Sequence, residues 1–298
     1  MAELPGTQPH DEPPRDGQLR PEAGAPGEST GAERPIATES RFYNARVTRR
    51  EDLTESLAFI WVAFDGEPVL FEPGQYLTIG LESNGKLVQR PYSVASSARE
   101  TAEGYEYYVR LVPEGLFTPL LWRVPVGHPM HMKGPKGKFT LEPDDERTHV
   151  FISSGTGIAP FICMMKTLLK DGTPRSTIVL HGASYQQDLG YRELLEEWQE
   201  SSDYPLKYIP TISRPGSPEN ERWTGRVGRV EAIVPDVFEE LALTPENSIP
   251  YICGNPEMIE TVAAMLAERG YPEEQIKKEL YWPKGKEPRA AGVTAPQP

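Results

Sequence analysis

His149-Val150-Phe151-Ile152-Ser153-Ser154, running into Gly155-Thr156-Gly157-Ile158-Ala159-Pro160-Phe161, is the stretch that decides how this chain folds. The first six residues are an apolar run ending in small polar side chains, the pattern of a buried strand. After the glycines, Ile158 to Leu169 repeats apolar residues at helical spacing through Phe161, Met165 and Leu168. The segment therefore reads strand, glycine turn, helix. Gly155 and Gly157 permit a tight turn and close approach of a pyrophosphate, whose charge is met by the N–H groups at the helix start. That dipole contributes about 0.3–1 kcal/mol, up to ~2 when partly buried, so it positions phosphates rather than supplying the whole affinity. Pro160 stands where a third glycine is usual, and a first helical turn tolerates it because its missing N–H has no intrahelical partner. The acidic residue that would select the ribose hydroxyl of NAD is absent from the end of the next strand, Ser176 to Ala183, which runs into Ser184.

Downstream of this segment, strands at Thr177–His181, Lys207–Ile212 and Tyr251–Cys253 alternate with helices at Ala159–Leu169, Leu189–Glu200 and Glu257–Arg269. Such alternation predicts a parallel sheet covered by helices. Upstream, from Phe42 to about Phe139, the pattern changes to short strands rich in aromatic and β-branched residues, among them Leu57–Ala63, Tyr76–Leu81 and Tyr105–Leu111. Pro73-Gly74, Asn84-Gly85 and Gly134-Pro135 punctuate them. This spacing predicts a small barrel, with one helix between Leu116 and Val124. The joint between the two halves falls at Pro143–Arg147.

The ends differ in composition. Residues 1–40 hold seven Pro, five Gly, eight acidic residues and three Arg, a mixture that cannot bury enough apolar surface to offset chain entropy, so a disordered tail is expected there. A flexible tail is likewise expected over 283–298. The net charge of −13 disfavours non-specific nucleic-acid binding. No apolar run approaches roughly 18 residues, so no membrane span is expected. Two Cys cannot supply four ligands to an iron–sulfur cluster. His128 and His131 lack a third ligand, so no metal is expected. A cytoplasmic monomer is the expectation.

A second motif, Arg90-Pro91-Tyr92-Ser93, lies in the strand-rich half. Arg90 offers a fixed positive charge for a diphosphate. Tyr92 offers a stacking face. Ser93 offers a hydroxyl. Together with Gly115-Leu116-Phe117-Thr118, Gly155 to Phe161, His181-Gly182-Ala183, Thr224-Gly225-Arg226, Cys253-Gly254-Asn255-Pro256-Glu257-Met258 and Tyr281-Trp282, taken in order over about residues 41–282, the chain resembles a bacterial ferredoxin–NADP reductase of the ferredoxin reductase-like flavoprotein superfamily.

That resemblance implies an antiparallel FAD-binding β-barrel over 41–143 and a doubly wound NADP-binding domain over 148–282. It implies FAD and NADP(H) as cofactors and a ferredoxin or flavodoxin as carrier. For FAD it implies Arg90, Pro91, Tyr92 and Ser93, then Tyr107, Val109 and Arg110 on the next strand, then Gly115, Leu116 and Thr118 as a second diphosphate clamp. A helix N-cap is the other reading of Thr118. For NADP it implies Gly155, Thr156, Gly157 and Pro160, with Gly254, Asn255 and Met258. Arg214 and Arg226 would take the 2′-phosphate, although Ser184 replaces an Arg that many relatives carry. Ser93, Cys253, Glu279 and Tyr281 are the catalytic candidates. Cys253 reads either as the neighbour of the nicotinamide or as an inert buried thiol, and Glu279 either as a proton carrier or as a solvated side chain. Tyr281 and Trp282 would cover the flavin or the FAD adenine. Tyr191 reads as an adenine platform or a helix-surface residue. For carrier docking, Arg49, Arg50, Lys133, Lys136 and Lys138 are the basic candidates. The alternatives are the reductase component of a multicomponent oxygenase and a non-catalytic flavin electron-transfer subunit.

Overall fold

A computed structural model describes residues 34–280. β1 (Ala45–Thr54) and β2 (Leu57–Phe64) form one antiparallel pair, and β3 (Tyr76–Ser83) and β4 (Lys86–Ser93) form another. The β3–β4 turn is Asn84-Gly85, both in the left-handed region with φ of 52° and 71°. A two-residue hairpin needs that geometry to match strand twist, which is why Asn-Gly is found there. β5 (Tyr105–Arg110), α1 (Thr118–Leu121) and β6 (Pro129–Lys136) complete the first unit. Its strands are ordered β4-β3-β6-β1-β2-β5. The two end strands approach where the chain leaves β4, since the Ala95 N–H donates to the Glu106 carbonyl at 2.8 Å. The sheet thus curls into a barrel that is closed just past Ser93 and open along the rest of β4. Alternate residues fill it: Leu77, Ile79 and Leu81 from β3, Tyr105, Tyr107 and Val109 from β5, Met130 and Met132 from β6. The helix expected over Leu116–Val124 is only four residues long. Gly115 and Leu116 are used by the preceding turn, and Pro125 biases Val124 away from helical dihedrals.

The second unit runs β7 (Thr148–Ser154), α2 (Ala159–Lys170), β8 (Thr177–Ala183), α3 (Arg192–Ser201), β9 (Leu206–Ile212), β10 (Arg226–Val227), α4 (Val230–Glu240), β11 (Ser248–Gly254), α5 (Pro256–Glu268) and β12 (Lys277–Leu280). All its pairings are parallel, in the order β10-β9-β8-β7-β11-β12. β7, β8 and β11 read as near-continuous apolar runs because helices cover both faces. α2 and α3 pack Phe161, Ile162, Met165, Leu195 and Trp198 on one face. α4 and α5 pack Val234, Val237, Ile259 and Val262 on the other. The α2–α3 cluster also includes Leu57, Phe59, Ala95, Tyr108 and Phe139 of the barrel, so one core crosses the joint.

The expected alternation holds, with three elements added: the two-residue β10, α4 and β12. α4 carries Pro235 in its middle, which hides it from a periodicity reading. β12 is four residues with two lysines, too short and too charged to signal a strand. Arg175 sews the joint to the second unit by donating to the carbonyls of Glu142, Pro143 and Asp145. The tail assigned to 1–40 ends sooner than that: Ile36 bridges Ser83, and the Ala37 N–H donates to the Glu82 carbonyl at 3.0 Å. The remainder of both expected tails, with Tyr281 and Trp282, lies outside the described residues. Among those described, no helix is long and apolar enough to cross a membrane, and no three His, Cys, Asp or Glu are grouped to hold a metal.

Candidate active site between barrel and parallel sheet

Strand order in the second unit reverses at β7, whose neighbours are β8 on one side and β11 on the other. Open parallel sheets bind ligands outside the carboxyl ends of the strands at such a point. The residues there are Ser154 to Gly157 after β7 and Cys253 to Asn255 after β11, and the two loops touch. A Cβ on Gly157 would lie 2.4 Å from the Cys253 carbonyl oxygen, and one on Gly254 would lie 2.5 Å from Ser154 Oγ. The Asn255 N–H donates to Ser154 Oγ at 3.0 Å. The Asn255 side chain caps α5 by accepting from the N–H groups of Glu257 and Met258 at 2.8 and 3.3 Å. Gly155 is different: its φ is +53°, and nothing lies within 4 Å of where a Cβ would be. Its outer side is open, so the loop fits a pyrophosphate laid across a helix start.

His181 stands in the His181-Gly182-Ala183 stretch, and nothing in the sequence states its role. Its Nε2 lies 3.0 Å from the Gly155 carbonyl, and Tyr208 Oη lies 3.4 Å from its Nδ1. Complete burial lowers its pKa to about 4, so the ring is neutral and Nε2–H donates to the carbonyl. The histidine holds the loop from beneath.

On the barrel side, β4 presents Arg90 and Pro91 to solvent along its open edge. Arg90 makes no ion pair among the described residues; its Nη1 donates only to the adjacent Gln89 carbonyl at 2.7 Å. Tyr92 is wedged between Tyr107 and Phe117, with ring centroids 6.2 and 5.9 Å away. Burial raises its phenol well above the usual range, so it stays neutral. Ser93 follows, 5% exposed.

Three of the four catalytic candidates meet across the joint. β12 lies beside β11 with Glu279 paired to Cys253, which puts the two backbones about 4.8 Å apart. The Ser93 hydroxyl, from the barrel, lies near the Glu279 carboxyl and acts to lower its pKa. Burial pushes the Glu279 carboxyl up to about 7, against the opposing pull of the Ser93 hydroxyl. Its Oε2 is buried without a hydrogen-bond partner among the described residues. Cys253 is fully buried, and neither it nor Cys163 forms a disulfide. A buried carboxyl oxygen lacking a partner, a hydroxyl beside it and an open strand edge bearing Arg90 fit a planar cofactor with a polar rim and a diphosphate. Arg90→Ala is expected to weaken FAD binding about 10- to 100-fold, the worth of one charge-assisted contact of ~1.5–3 kcal/mol. Flavin absorbance per chain after dilution and gel filtration measures this, and undiminished flavin content would remove Arg90 from the site.

Several expected ligands are placed elsewhere. Tyr107 and Val109 are sealed in the barrel core at 0% and 1% exposure, so their side chains reach no ligand; Tyr107 instead buttresses Tyr92. Arg110 pairs with Asp188 at 2.9 Å, joining the two units. Thr118 is not an N-cap. Its hydroxyl accepts from the Val112 N–H and donates to the Val112 carbonyl, closing the Gly115–Leu116 turn on itself. Met258 is 2% exposed within the α4–α5 core. Pro160 is buried in the first turn of α2. Tyr191 is neither a helix-surface residue nor open to an adenine, being 4% exposed at the joint with its hydroxyl on Glu106.

Beyond β8 and β9, Asn220 ties the Ser184 and Arg214 carbonyls together and accepts from the Gln186 N–H. Arg214 stands exposed beside this knot, its Nη1 donating to the Tyr185 hydroxyl at 2.6 Å and its guanidinium over the Tyr185 ring at 5.3 Å. Nothing in the sequence singles out Tyr185, which directly follows Ser184. Arg226 is engaged by Glu240, and Arg229 lies 3.7 Å from Glu231.

Known proteins resemble this chain in sequence and fold. Residues 44–141 match the family described as oxidoreductase FAD-binding domain, and residues 151–264 the oxidoreductase NAD-binding domain. The chain is 34% identical over 220 residues to ferredoxin–NADP reductase B of Sorangium cellulosum, covering 73% of this chain and 88% of that protein. It is 30% identical to the phenol hydroxylase P5 protein of Acinetobacter pittii over 80% of this chain and 65% of the other. In fold it is similar to a ferredoxin NADP+ reductase from Neisseria gonorrhoeae, with a TM-score of 0.70 and 24% identity over 82% of this chain and all of that one.

Proposed function

Because this chain belongs to the ferredoxin reductase family of FAD-dependent, nicotinamide-linked oxidoreductases, we propose that it exchanges electrons between NADP(H) and a small one-electron protein carrier of the ferredoxin or flavodoxin class. The observation that carries this reading is the meeting of Ser93, Glu279 and Cys253 where barrel and parallel sheet join. Bound FAD supplies the conversion between two-electron and one-electron chemistry. The chain supplies position and protons. Gly155, Thr156 and Gly157 with the Asn255-capped helix would hold the dinucleotide, Arg90 the FAD diphosphate, and Tyr92 the flavin face. The narrow Cys253 side chain leaves room for two rings to approach.

A proton accompanies the electron pair from a reduced nicotinamide, whereas a ferredoxin takes electrons alone, so each turnover leaves a proton to be held and released. Glu279, with a pKa near 7, is suited to hold it at Oε2 while Ser93 fixes the other side of the carboxyl.

Arg214 favours NADPH over NADH. One charge-assisted contact to a 2′-phosphate contributes ~1.5–3 kcal/mol, or about 10- to 100-fold. Arg214→Ala is therefore expected to lower the NADPH/NADH ratio of kcat/KM by that factor, and an unchanged ratio would discard the assignment. Arg226, already bound to Glu240, is expected to add less.

Carrier docking falls to lysines. Arg49 and Arg50 are paired with Glu51 and Asp52 and laid over Trp61 and Trp122. Lys133, Lys136 and Lys138 are exposed and make no ion pair among the described residues. In the sheet, Lys133 pairs with Thr78 and Lys136 with Tyr76 of β3, whose partners on the far side are Pro91 and Ser93 of β4. Lys133 and Lys136 lie one strand removed from β4, and the three lysines offer the charge an acidic carrier needs. Likeness to the phenol hydroxylase P5 protein supports a second reading, the reductase component of a multicomponent oxygenase. Anaerobic flavin reduction by NADPH, followed by mixing with ferredoxin, flavodoxin or an oxygenase component, tests both. Failure of NADPH and NADH alike to bleach the flavin would overturn both.

A further inference from the structure

One buried charged group has no part in the site described above. Glu106, on β5 of the barrel, is 6% exposed. Its Oε1 accepts from the Tyr191 hydroxyl at 2.6 Å and its Oε2 lies 2.7 Å from Lys166 Nζ. Lys166 belongs to α2, and its ammonium also sits over the Tyr191 ring at 5.6 Å. Both partners come from the nucleotide-binding unit. Glu106 is therefore a barrel carboxylate held between two groups of the other unit.

Each side of this bridge leads to one half of the active site. The backbone of Glu106 is bound to the chain leaving β4: the Ala95 N–H donates to its carbonyl at 2.8 Å, and its own N–H donates to Ser96 Oγ at 3.2 Å. Ala95 is two residues beyond Ser93. Lys166 lies on the helix that begins directly after the Gly155–Ile158 turn. Around the bridge, the Ala98 N–H donates to Thr167 Oγ1 at 2.9 Å, the Gly190 N–H donates to the Tyr108 hydroxyl at 3.0 Å, and that hydroxyl donates to the Asp188 carbonyl at 2.9 Å.

We propose that Glu106 is a positioning residue for electron transfer, fixing the register of the nucleotide-binding unit against the barrel and hence the approach of the nicotinamide to the flavin. This rests on the proposed FAD and nicotinamide reading. A hydrogen bond to a neutral serine or a greasy contact would hold the units together equally well, but would let them slide. A carboxylate that is itself buried and gripped from two directions defines one geometry, because any slide leaves a buried charge without a partner. Reactions between two bound rings are sensitive to about an ångström of misplacement.

The test uses the full-length, FAD-loaded protein with Glu106→Gln, Tyr191→Phe and, as a control on the exposed rim of the same joint, Arg99→Ala, which breaks the Arg99–Asp171 pair at 2.8 Å. Three quantities are read: the rate of flavin bleaching by excess reduced nicotinamide in a single anaerobic turnover, the dissociation constant of NADP+ from difference spectra, and hydrogen exchange at the Ala98 and Gly190 amides without nicotinamide present. Glu106→Gln is expected to slow bleaching about 10- to 100-fold, with flavin content and NADP+ affinity within about twofold of wild type and exchange at both amides accelerated. Tyr191→Phe, which removes one oxygen and keeps the ring, is expected to shift the same readouts in the same direction and by less. It carries the test should Glu106→Gln fail to fold. Arg99→Ala is expected to change none of them. An unchanged bleaching rate in the folded variants overturns the proposal, as does slowed bleaching with wild-type exchange at Ala98 and Gly190. A wild type that nicotinamide does not bleach overturns the functional reading instead, and the exchange measurement still reports on the bridge.

Discussion

Glu279→Gln is expected to slow electron delivery to a one-electron carrier by about 10²- to 10⁴-fold, the usual worth of a positioned proton-transfer group, while FAD content stays unchanged. The wild-type rate should change with pH around 7, where this carboxyl titrates, and that inflection should vanish in the variant. Stability carries the same signature. The folded protein keeps a proton on Glu279 up to about pH 7, whereas the unfolded chain releases it near 4.5. Between those values the folded state binds more protons than the unfolded one, so this contribution to stability is full below pH 4.5 and is lost as pH rises through 7. It amounts to about 3 kcal/mol at most. Thermal unfolding at pH 4.5 and 7.5 should therefore differ less in Glu279→Gln than in the wild type. Parallel pH profiles for the two proteins would show that the carboxyl does not titrate in this window.

Gly157→Ala is expected to abolish most nicotinamide-driven reduction while sparing the flavin. The added methyl would lie 2.4 Å from the Cys253 carbonyl oxygen and 2.6 Å from Gly254 Cα. Both are backbone atoms and cannot rotate away. The loops after β7 and β11 must separate, carrying Cys253 and the helix start with them. A fall of about 10²-fold in kcat/KM for the nicotinamide is expected from such a displacement, with a cost of about 1–3 kcal/mol in stability. The flavin spectrum should remain, because the barrel is untouched. A variant that reduces at the wild-type rate would mean that the two loops do not form one cradle.

Much of the second unit is legible because a parallel strand buried on both faces must be apolar along its length, as Val150–Ile152 and Ile178–Leu180 are. The glycine turn is legible for a related reason. Gly155 needs positive φ and Gly157 needs the absence of a Cβ, and sequence states both requirements directly. What sequence does not state is where a side chain points once the sheets have curled. Tyr107 and Val109 lie on the strand next to the flavin motif, yet alternation turns both into the barrel, leaving Arg110 to bridge the joint. Met258 follows a glycine loop, but the first turn of α5 directs it to the core. That Ser93 comes near Glu279 is not legible in the sequence, since it depends on two sheets meeting and on a β12 too short to announce itself. Arg226 and Arg214 look alike as letters. Only the structure shows that one is held by Glu240 while the other stands beside Tyr185.

The unclosed margin of β4 has a consequence for the chain before it acquires its cofactor. A strand whose outer N–H and C=O groups lack a neighbour is a template on which another copy can add, which is how many β proteins begin to aggregate. Here that margin carries Pro91, which offers no N–H, and Arg90, whose charge repels its own kind on an approaching twin. The residues that would receive FAD are thus poor material for a fibre, and a newly made polypeptide waiting for its flavin is shielded from self-association by the same two side chains.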